Sequence, residues 1–226
     1  MSILSISGVL DAAALADICD LSETLVWQGG EATAGKTARG VKHNLQADLT
    51  SRTGATARKT LEDAITTHTV LRAAAQPARF SKLILSRTEI GGGYGLHMDN
   101  AFMGHGARRL RTDLSFTLFL SEPATYEGGA LEIETAGATE SYRPEAGTLV
   151  LYPSTFLHRV TEVTRGTRLA CVGWIESTVK DQMAREILFD LSNLQVALAN
   201  THPPQSPERL TLSKVYSNLL RLHGTS

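Results

Sequence analysis

The sequence predicts an α+β fold in which a jelly-roll β-core is flanked by N-terminal and C-terminal helices. Helical periodicity is confined to the two ends of the 226-residue chain. The middle consists of seven or eight short apolar runs bounded by turn residues, which is typical of a sandwich or barrel. A double-sheet jelly roll accommodates that number of strands.

The N-terminal part of the chain contains two predicted helices separated by a loop. Residues 11–27 place apolar side chains near helical spacing, with Asp11 as the expected N-cap. Residues 28–40 are rich in Gly and Thr and have no apolar period, which predicts a loop over an opening. Residues 52–74 have one apolar side and form the second predicted amphipathic helix.

The predicted β-core spans about residues 80–177. Alternation is clearest over residues 113–120, where a row of leucine and phenylalanine side chains alternates with a row that includes Ser115 and Thr117. Successive side chains of a strand point to opposite faces. One face of this strand is therefore expected to be fully apolar, and the other to carry hydroxyl groups.

The helical period returns after Ser177. Residues 201–207 interrupt it with three prolines, and residues 208–223 form the last predicted helix. The expected organisation is one domain over residues 1–177 and a helical extension over residues 178–226. The first helix of the extension is predicted to present one apolar face, formed by Met183, Ile187, Leu188, Leu191, Leu194 and Leu198.

Composition excludes several classes of protein. The 22 Lys and Arg residues balance 23 Asp and Glu residues, so no general attraction to nucleic acid is expected. The sequence has no run of about 18 apolar residues, which is the length needed to span a membrane, and its first residues do not resemble a signal peptide. The two cysteines, Cys19 and Cys171, are too few for a disulfide framework. A cytoplasmic protein is expected.

Three residues form a candidate metal site. His97 and Asp99 stand two apart, so in an extended strand both project from the same face. His158 follows 59 residues after Asp99, which is enough for the chain to cross a sandwich and return. Two imidazoles and one carboxylate leave three metal positions open, as in non-haem Fe(II) oxygenases. The alternative is a surface His–Asp pair and a packed strand-end histidine.

Arg168 begins a nearly all-apolar strand, which predicts that it is buried. A buried guanidinium is costly unless it is paired, and a carboxylate ligand would match it in two hydrogen bonds. The alternative is an arginine at the rim, paired with Glu132 or Glu134. Trp174 shares the face of Arg168 and is a candidate border of the same pocket.

Several long motifs resemble those of one family. YGLHMDNAF, RTDLSFTLFLSEP, YEGGALEI, AGTLVLYPSTFLHRV and TRGTRLACVGWIES are similar to segments of the bacterial PKHD-type hydroxylases, iron- and 2-oxoglutarate-dependent dioxygenases related to prolyl 4-hydroxylases. The resemblance covers nearly the whole chain, including TAG at Thr33–Gly35, VKHNLQA at 41–47 and YSNLLR at 216–221.

The resemblance implies a double-stranded β-helix core and a specific set of ligands. Fe(II) would be bound by His97, Asp99 and His158, and the distal carboxylate of 2-oxoglutarate would pair with Arg168. The implied activity is hydroxylation of an unactivated C–H bond with O₂, coupled to decarboxylation of 2-oxoglutarate to succinate. Ascorbate, vitamin C, is a candidate additional cofactor.

One position departs from the family pattern. A tyrosine usually stands nine residues before the first metal histidine and helps to hold the co-substrate, whereas this chain has Thr88. Thr88 is still a candidate contact, because it can donate its hydroxyl although it reaches less far, and Tyr94, Ser115 and Thr117 are the candidate substitutes. Weaker binding of 2-oxoglutarate than in relatives is therefore expected.

Two other functions and the nature of the substrate stay open. The same pocket could serve a non-catalytic iron or 2-oxoglutarate sensor, with residues 178–223 reporting to a partner or forming a homodimer. A cupin-like isomerase or hydrolase with another divalent metal is disfavoured by Arg168. The expected substrate is a small or amino-acid-like molecule, contacted by residues 28–40 and 100–110. Arg108, Arg109 and Arg111 favour an anionic or metal-chelating substrate, with a solvated charge run as the alternative.

Overall fold

The computed structural model describes residues 3–30, 41–106 and 109–225. Most of the predicted loop 28–40, including the TAG segment, and Arg108 lie outside the described residues. Within the described ranges, every helix is too short or too polar to cross a lipid bilayer. The helices are α1 (Ala12–Thr24), α2 (Arg52–Thr67), α3 (Thr69–Ala75), α4 (Gln182–Ala199) and α5 (Pro207–His223).

The strands begin close to the N-terminus and continue to the start of α4. In the first half of the chain they are β1 (Leu4–Ile6), β2 (Trp27–Gly29), β3 (Lys42–His43), β4 (Leu45–Ala47), β5 (Pro77–Phe80), β6 (Ile84–Thr88), β7 (Gly93–His97), β8 (Phe102–Met103) and β9 (Leu110–Arg111). In the second half they are β10 (Leu114–Phe119), β11 (Glu127–Gly128), β12 (Leu131–Glu134), β13 (Thr139–Tyr142), β14 (Leu149–Pro153), β15 (His158–Val160), β16 (Val163–Arg165) and β17 (Arg168–Ser177).

Two antiparallel sheets form the centre of the molecule. The larger sheet has the order β1-β14-β10-β17-β6-β4-β2, with β5 beside β17, and the smaller has the order β13-β12-β15-β7-β3. Buried side chains of both sheets pack together, which places the two sheets face to face. This shared cluster contains Phe119, Leu131, Ile133, Val150 and Tyr152.

The N-terminal helices cover the outer face of the larger sheet. Leu61 and Leu71 of α2 and α3 belong to the same buried cluster as Phe116 and Leu118 of β10. Strand β10 is buried on both faces because its other row of side chains points toward the smaller sheet. The predicted combination of helices and sheets is therefore confirmed, and the two rows of β10 have the predicted separate environments.

Two N-terminal features differ from the sequence prediction. The single helix expected over residues 52–74 is broken at His68, whose backbone is extended (φ −65°, ψ 119°) and whose ring accepts a hydrogen bond from the Leu71 N–H. Strands β1 to β4 precede the predicted β-core. They have two or three residues each, which is too short for a period of two to be visible in the sequence.

The prediction of one apolar face on α4 is wrong in part, because only some of its residues are buried. Helix α4 packs between α3 and α5, and this orientation buries Ala184, Arg185 and Leu188. The guanidinium of Arg185 is held inside because it donates to the carbonyls of Val179 (2.6 Å) and Lys180 (2.8 Å). Three residues of the predicted face are exposed, namely Met183, Ile187 and Leu194.

The division into domains at residue 177 stays a prediction.

Candidate metal centre

The pairing of β7 with β15 brings the three candidate metal ligands together. The strands are antiparallel, and His97 stands directly opposite His158. The centroids of the two imidazole rings are 4.3 Å apart, and His158 Nε2 lies 3.8 Å from Asp99 Oδ2. The ligand atoms of all three residues lie within 4.8 Å of one another. One metal ion could therefore contact all three side chains.

Hydrogen bonds determine which ring nitrogen of each histidine is available to a metal ion. Nδ1 of His97 bonds to the Gly95 carbonyl (2.7 Å), and Nδ1 of His158 bonds to the Phe156 carbonyl (3.0 Å). A carbonyl oxygen can only accept, so each Nδ1 carries a proton and each Nε2 is the nitrogen left to bind a metal. Burial, followed by the proximity of His158, lowers the pKa of His97 to about 4. His97 is therefore neutral at neutral pH.

The carboxylate of Asp99 is held by Ser115, which in turn contacts Ser154. Ser115 Oγ donates to Asp99 Oδ2 (2.5 Å) and lies 2.7 Å from Ser154 Oγ. The sequence predicts Ser115 as a contact of the co-substrate, whereas its hydrogen bond is directed to the metal ligand. Such outer contacts fix the orientation of a ligating carboxylate. Ser115 therefore positions Asp99.

Arg168 lies in the same pocket with unsatisfied hydrogen-bond donors. It is 2% exposed, and its Nε and Nη2 have no hydrogen-bond partner among the described residues. It stands opposite Thr88 in the pairing of β17 with β6. Of the alternative partners, Glu132 pairs with Arg159 instead (2.7 Å). Because an arginine stays charged even when burial lowers its pKa, this site favours an anionic ligand.

The backbone packs closely against the arginine. Gly129 has a positive φ of 60°, and a Cβ at that position would lie 2.9 Å from Cδ of Arg168. The Phe119 ring lies beside the guanidinium, with Cζ of Arg168 5.1 Å from the ring centroid. Glycine at position 129 is therefore needed to leave the Arg168 side chain in its place.

The other predicted contacts all line this pocket. Thr88, Tyr94 and Thr117 border it together with the three metal-ligand candidates. The Tyr94 ring stacks on the ring of His97, with centroids 3.6 Å apart. Burial raises the pKa of Tyr94 to about 12, so its phenol keeps the proton and can act as a hydrogen-bond donor. Trp174 also borders the pocket, as its shared face with Arg168 predicts.

Tyr152 is a pocket residue that the sequence analysis did not identify. It stands opposite Ser115 on the neighbouring strand β14, and its ring centroid is 5.1 Å from that of His158. Its side chain hydrogen-bonds to Thr117 and interacts electrostatically with Arg168. Burial raises the pKa of its phenol well above the ordinary value. Its position opposite a predicted inward hydroxyl was the signal that could have identified it.

The arginines near the predicted mouth have other contacts. The guanidinium of Arg109 lies over the Phe102 ring (4.0 Å from Cζ to the centroid), and Arg111 bonds to Asp113 (2.7 Å). Neither arginine lines the metal pocket. Besides Arg168, the pocket lining includes Lys42, on β3, which the sequence analysis did not single out.

A family model and full-length relatives place the chain in the same family. Residues 83–176 match the family model of the 2OG-Fe(II) oxygenase superfamily. The chain is 52% identical over 217 residues to a PKHD-type hydroxylase of Hyphomonas neptunium, covering 96% of this chain and 97% of that protein. It is 47% identical over 219 residues to a PKHD-type hydroxylase of Synechococcus elongatus, covering 97% and 98% of the two chains.

Solved structures show the same fold at low sequence identity. A prolyl hydroxylase of Trichoplax adhaerens, in complex with a hypoxia inducible factor peptide fragment, aligns with a TM-score of 0.60 at 15% identity, covering 84% of this chain and 86% of that one. A prolyl-4-hydroxylase of Pseudomonas putida aligns with a TM-score of 0.51 at 18% identity, covering 77% and 92%.

Proposed function

Because this chain belongs to the PKHD-type hydroxylases of the 2OG-Fe(II) oxygenase superfamily and is therefore an oxygenase, we propose that it hydroxylates an unactivated C–H bond. In the proposed reaction 2-oxoglutarate, O₂ and a substrate R–H give succinate, CO₂ and R–OH. We further assign the two facing sheets to the double-stranded β-helix, or jelly roll, that the motifs predict.

One observation carries the proposal: the three candidate metal ligands and a buried arginine with unsatisfied donors open into one pocket. His97, Asp99 and His158 would hold Fe(II), since two imidazoles and a carboxylate match its facial triad. Arg168 would bind the distal carboxylate of 2-oxoglutarate in the same pocket. Bound Fe(II) would supply the O₂ activation that couples decarboxylation of 2-oxoglutarate to hydroxylation.

The remaining pocket residues have supporting roles in this proposal. Tyr152 offers a protonated phenol near Arg168 and so replaces the tyrosine that is missing at Thr88. Thr117 holds the Tyr152 side chain by a hydrogen bond. Tyr94 covers one side of the His97 ring, which limits the access of water to that ligand. Ser115 keeps the Asp99 carboxylate directed toward the two histidines.

The test is a spectroscopic titration followed by a single turnover. Addition of 2-oxoglutarate to the anaerobic Fe(II) protein is expected to give a visible charge-transfer band. Admission of O₂ together with ascorbate, which supplies the two electrons that the substrate would otherwise supply, should then yield succinate, in an amount comparable to the loaded protein. A band that persists in O₂ without succinate would favour the non-catalytic sensor. Absence of the band would contradict the proposed site.

Three further parts of the proposal concern the protein's surroundings. We propose that it acts in the cytoplasm, that ascorbate sustains its activity, and that the C-terminal helices form a homodimer. The two free cysteines, Cys19 and Cys171, fit a reducing compartment. Light scattering of the purified chain tests the dimer, and turnover number with and without ascorbate tests the reductant.

A further inference from the structure

A second, larger cavity adjoins the metal pocket. Its volume is about 820 Å³, against about 90 Å³ for the metal pocket. Four side chains of β4, β6, β8 and β17 border both spaces, namely Gln46, Ile84, Met103 and Trp174. The two spaces therefore meet at these side chains. The chemistry proposed at iron assigns no role to the larger cavity.

The larger cavity combines apolar walls with positive charge. Its apolar lining includes Leu49 and Leu83. Its ionisable lining residues are Arg79, Lys82 and His105, and no Asp or Glu residue lines it within the described ranges. A concave surface that carries one sign of charge on low-dielectric walls attracts ions of the opposite sign. The cavity is therefore suited to a ligand that carries an anionic group.

The two cationic side chains of this lining differ in whether the protein already pairs them. Arg79 Nε donates to Glu176 Oε2 (3.0 Å), and its Nη2 donates to the same oxygen and to the Arg109 carbonyl (2.9 Å). The charge of Arg79 is therefore offset by a carboxylate. The exposed ammonium of Lys82 has no hydrogen bond or ion pair among the described residues. Lys82 is thus the cation of this lining that is available to a ligand.

Lys82 is fixed beside Trp174 by hydrogen bonds of the residue that precedes it. The Ser81 N–H donates to the Trp174 carbonyl (2.9 Å), and the Trp174 backbone N–H donates to Ser81 Oγ (2.9 Å). Ser81 Oγ donates in turn to the Lys82 carbonyl (2.9 Å). The indole Nε1 of Trp174 has no hydrogen-bond partner within the described ranges. An ammonium and an indole N–H that both lack partners therefore border one cavity, on segments that are bonded to each other.

We propose that the larger cavity is the substrate site and that it takes a carboxylic acid, whose carboxylate is bound by Lys82. The indole N–H of Trp174 donates a hydrogen bond to the substrate where the two spaces meet, and the carbon to be hydroxylated lies in the metal pocket. One unpaired ammonium matches the single negative charge of a carboxylate. This inference rests on the proposed function, because the metal pocket supplies the oxidation.

The first experiment compares each acid with its own primary amide. Aliphatic and aromatic carboxylates, from hexanoate to phenylacetate, and the corresponding amides are titrated calorimetrically into the anaerobic protein saturated with Fe(II) and 2-oxoglutarate. At low salt an acid that fits should bind about tenfold more tightly than its amide, since a charged hydrogen bond is lost in the amide. This difference should shrink in about 0.5 M sodium chloride, because the charge of Lys82 faces solvent and is screened. Equal binding of acids and amides at low salt, or no binding of any acid, overturns the inference.

Variants at Lys82 assign the effect to one side chain. Lys82→Met should abolish the preference for the acid, and Lys82→Arg should keep most of it. Lys214→Met removes an exposed charge on α5, outside both cavities, and should leave the preference unchanged. A preference that survives Lys82→Met but is lost in His105→Gln would move the carboxylate to His105 and overturn the assignment to Lys82.

The two tryptophans of the chain report where the acid binds. Trp27 Nε1 already donates to the Ser22 carbonyl (3.2 Å), and Trp27 lines neither cavity. The NMR experiment uses Zn(II) in place of Fe(II), a diamagnetic ion that histidine and carboxylate side chains also bind. Binding of an acid should move the indole N–H resonance of Trp174 downfield and leave that of Trp27 unchanged. An acid that binds without moving the Trp174 resonance overturns the assignment to this cavity.

The charge-transfer band separates this inference from the proposed function. Lys82→Met should bind 2-oxoglutarate with the wild-type dissociation constant, because Lys82 does not line the metal pocket. An acid that raises the apparent dissociation constant for 2-oxoglutarate in proportion to its own concentration competes with the co-substrate. That result would overturn the inference while the proposed function stands. A wild-type protein without the band would overturn both together.

Discussion

The two ends of the metal pocket differ in whether their buried polar groups have hydrogen-bond partners within the protein. At the metal end, each histidine donates Nδ1–H to a carbonyl, and Asp99 accepts a hydrogen bond from Ser115. At the arginine end, two buried guanidinium nitrogens of Arg168 have no partner among the described residues. The metal end is thus organised by the chain itself, whereas the arginine end is completed only by a ligand. Binding at the second end should therefore stabilise the fold.

The largest effect is expected from removing the carboxylate at the metal end. Asp99→Ala leaves only two imidazoles, so iron affinity and succinate formation should each fall by more than about 100-fold. Iron binding is measured by anaerobic titration, and succinate by chromatography. Asp17→Ala, at an exposed position of α1, is the matched control. Retention of iron by Asp99→Ala would remove this residue from the site.

Arg168→Met tests the unsatisfied end and should weaken the binding of 2-oxoglutarate while it stabilises the ligand-free protein. The dissociation constant for 2-oxoglutarate should rise about 100-fold, because a bidentate charged contact is lost. In the absence of ligands, the free energy of unfolding in urea should rise by about 1 kcal/mol, because a buried charge without a partner is removed. Iron affinity should not change.

Arg159→Met is the control for that variant, since Arg159 is paired with Glu132 on the surface. It should leave the affinity for 2-oxoglutarate unchanged. If Arg168→Met destabilised the ligand-free protein, Arg168 would be satisfied without a ligand, and the contrast between the two ends would not hold.

Ser115→Ala tests whether the metal end depends on its outer contacts. Loss of the hydrogen bond to Asp99 should weaken iron binding by about 10-fold to 100-fold. At saturating iron, the dissociation constant for 2-oxoglutarate should stay within about threefold of the wild-type value, since Ser115 serves the other end. Ser213→Ala on α5 is the matched control. Weakened 2-oxoglutarate binding with normal iron binding would restore the role that the sequence predicts for Ser115.

A smaller effect than that of Ser115→Ala is expected at Tyr152, which supports the arginine end. Tyr152→Phe removes one neutral hydrogen bond and should raise the dissociation constant for 2-oxoglutarate by about 3-fold to 10-fold. The charge-transfer titration measures this change. Thr88→Val should have a smaller effect, since the phenol proposed to replace the missing tyrosine belongs to Tyr152. The reverse order would assign the contact to Thr88.

Short-range patterns predicted the residues whose roles depend on local geometry. The spacing of His97 and Asp99 places them on one side of the chain, and the alternation along β10 separates its apolar row from its hydroxyl row. The all-apolar character of β17 predicts that Arg168 is buried. Each of these inferences needs only the period of a strand and the cost of burying a charge.

Other features depended on which elements lie side by side. The hydroxyl of Ser115 meets Asp99, and Tyr152 reaches the neighbourhood of Arg168, because β14, β10 and β17 are adjacent in a particular register. The exposed face of α4 follows from its packing between α3 and α5. Lys42 enters the pocket through a two-residue strand that leaves no visible period in the sequence.

The sequence by itself determined the family, the residue types of the ligand set and the direction in which strand side chains point, since these follow from motifs and local periodicity. The tertiary structure alone decided that the hydrogen-bonding groups of the metal end have partners while those of Arg168 have none among the described residues, and that Lys42 lines the site. Hydrogen-bond satisfaction is a property of contacts between residues far apart in the chain, and no local pattern encodes which of those contacts form.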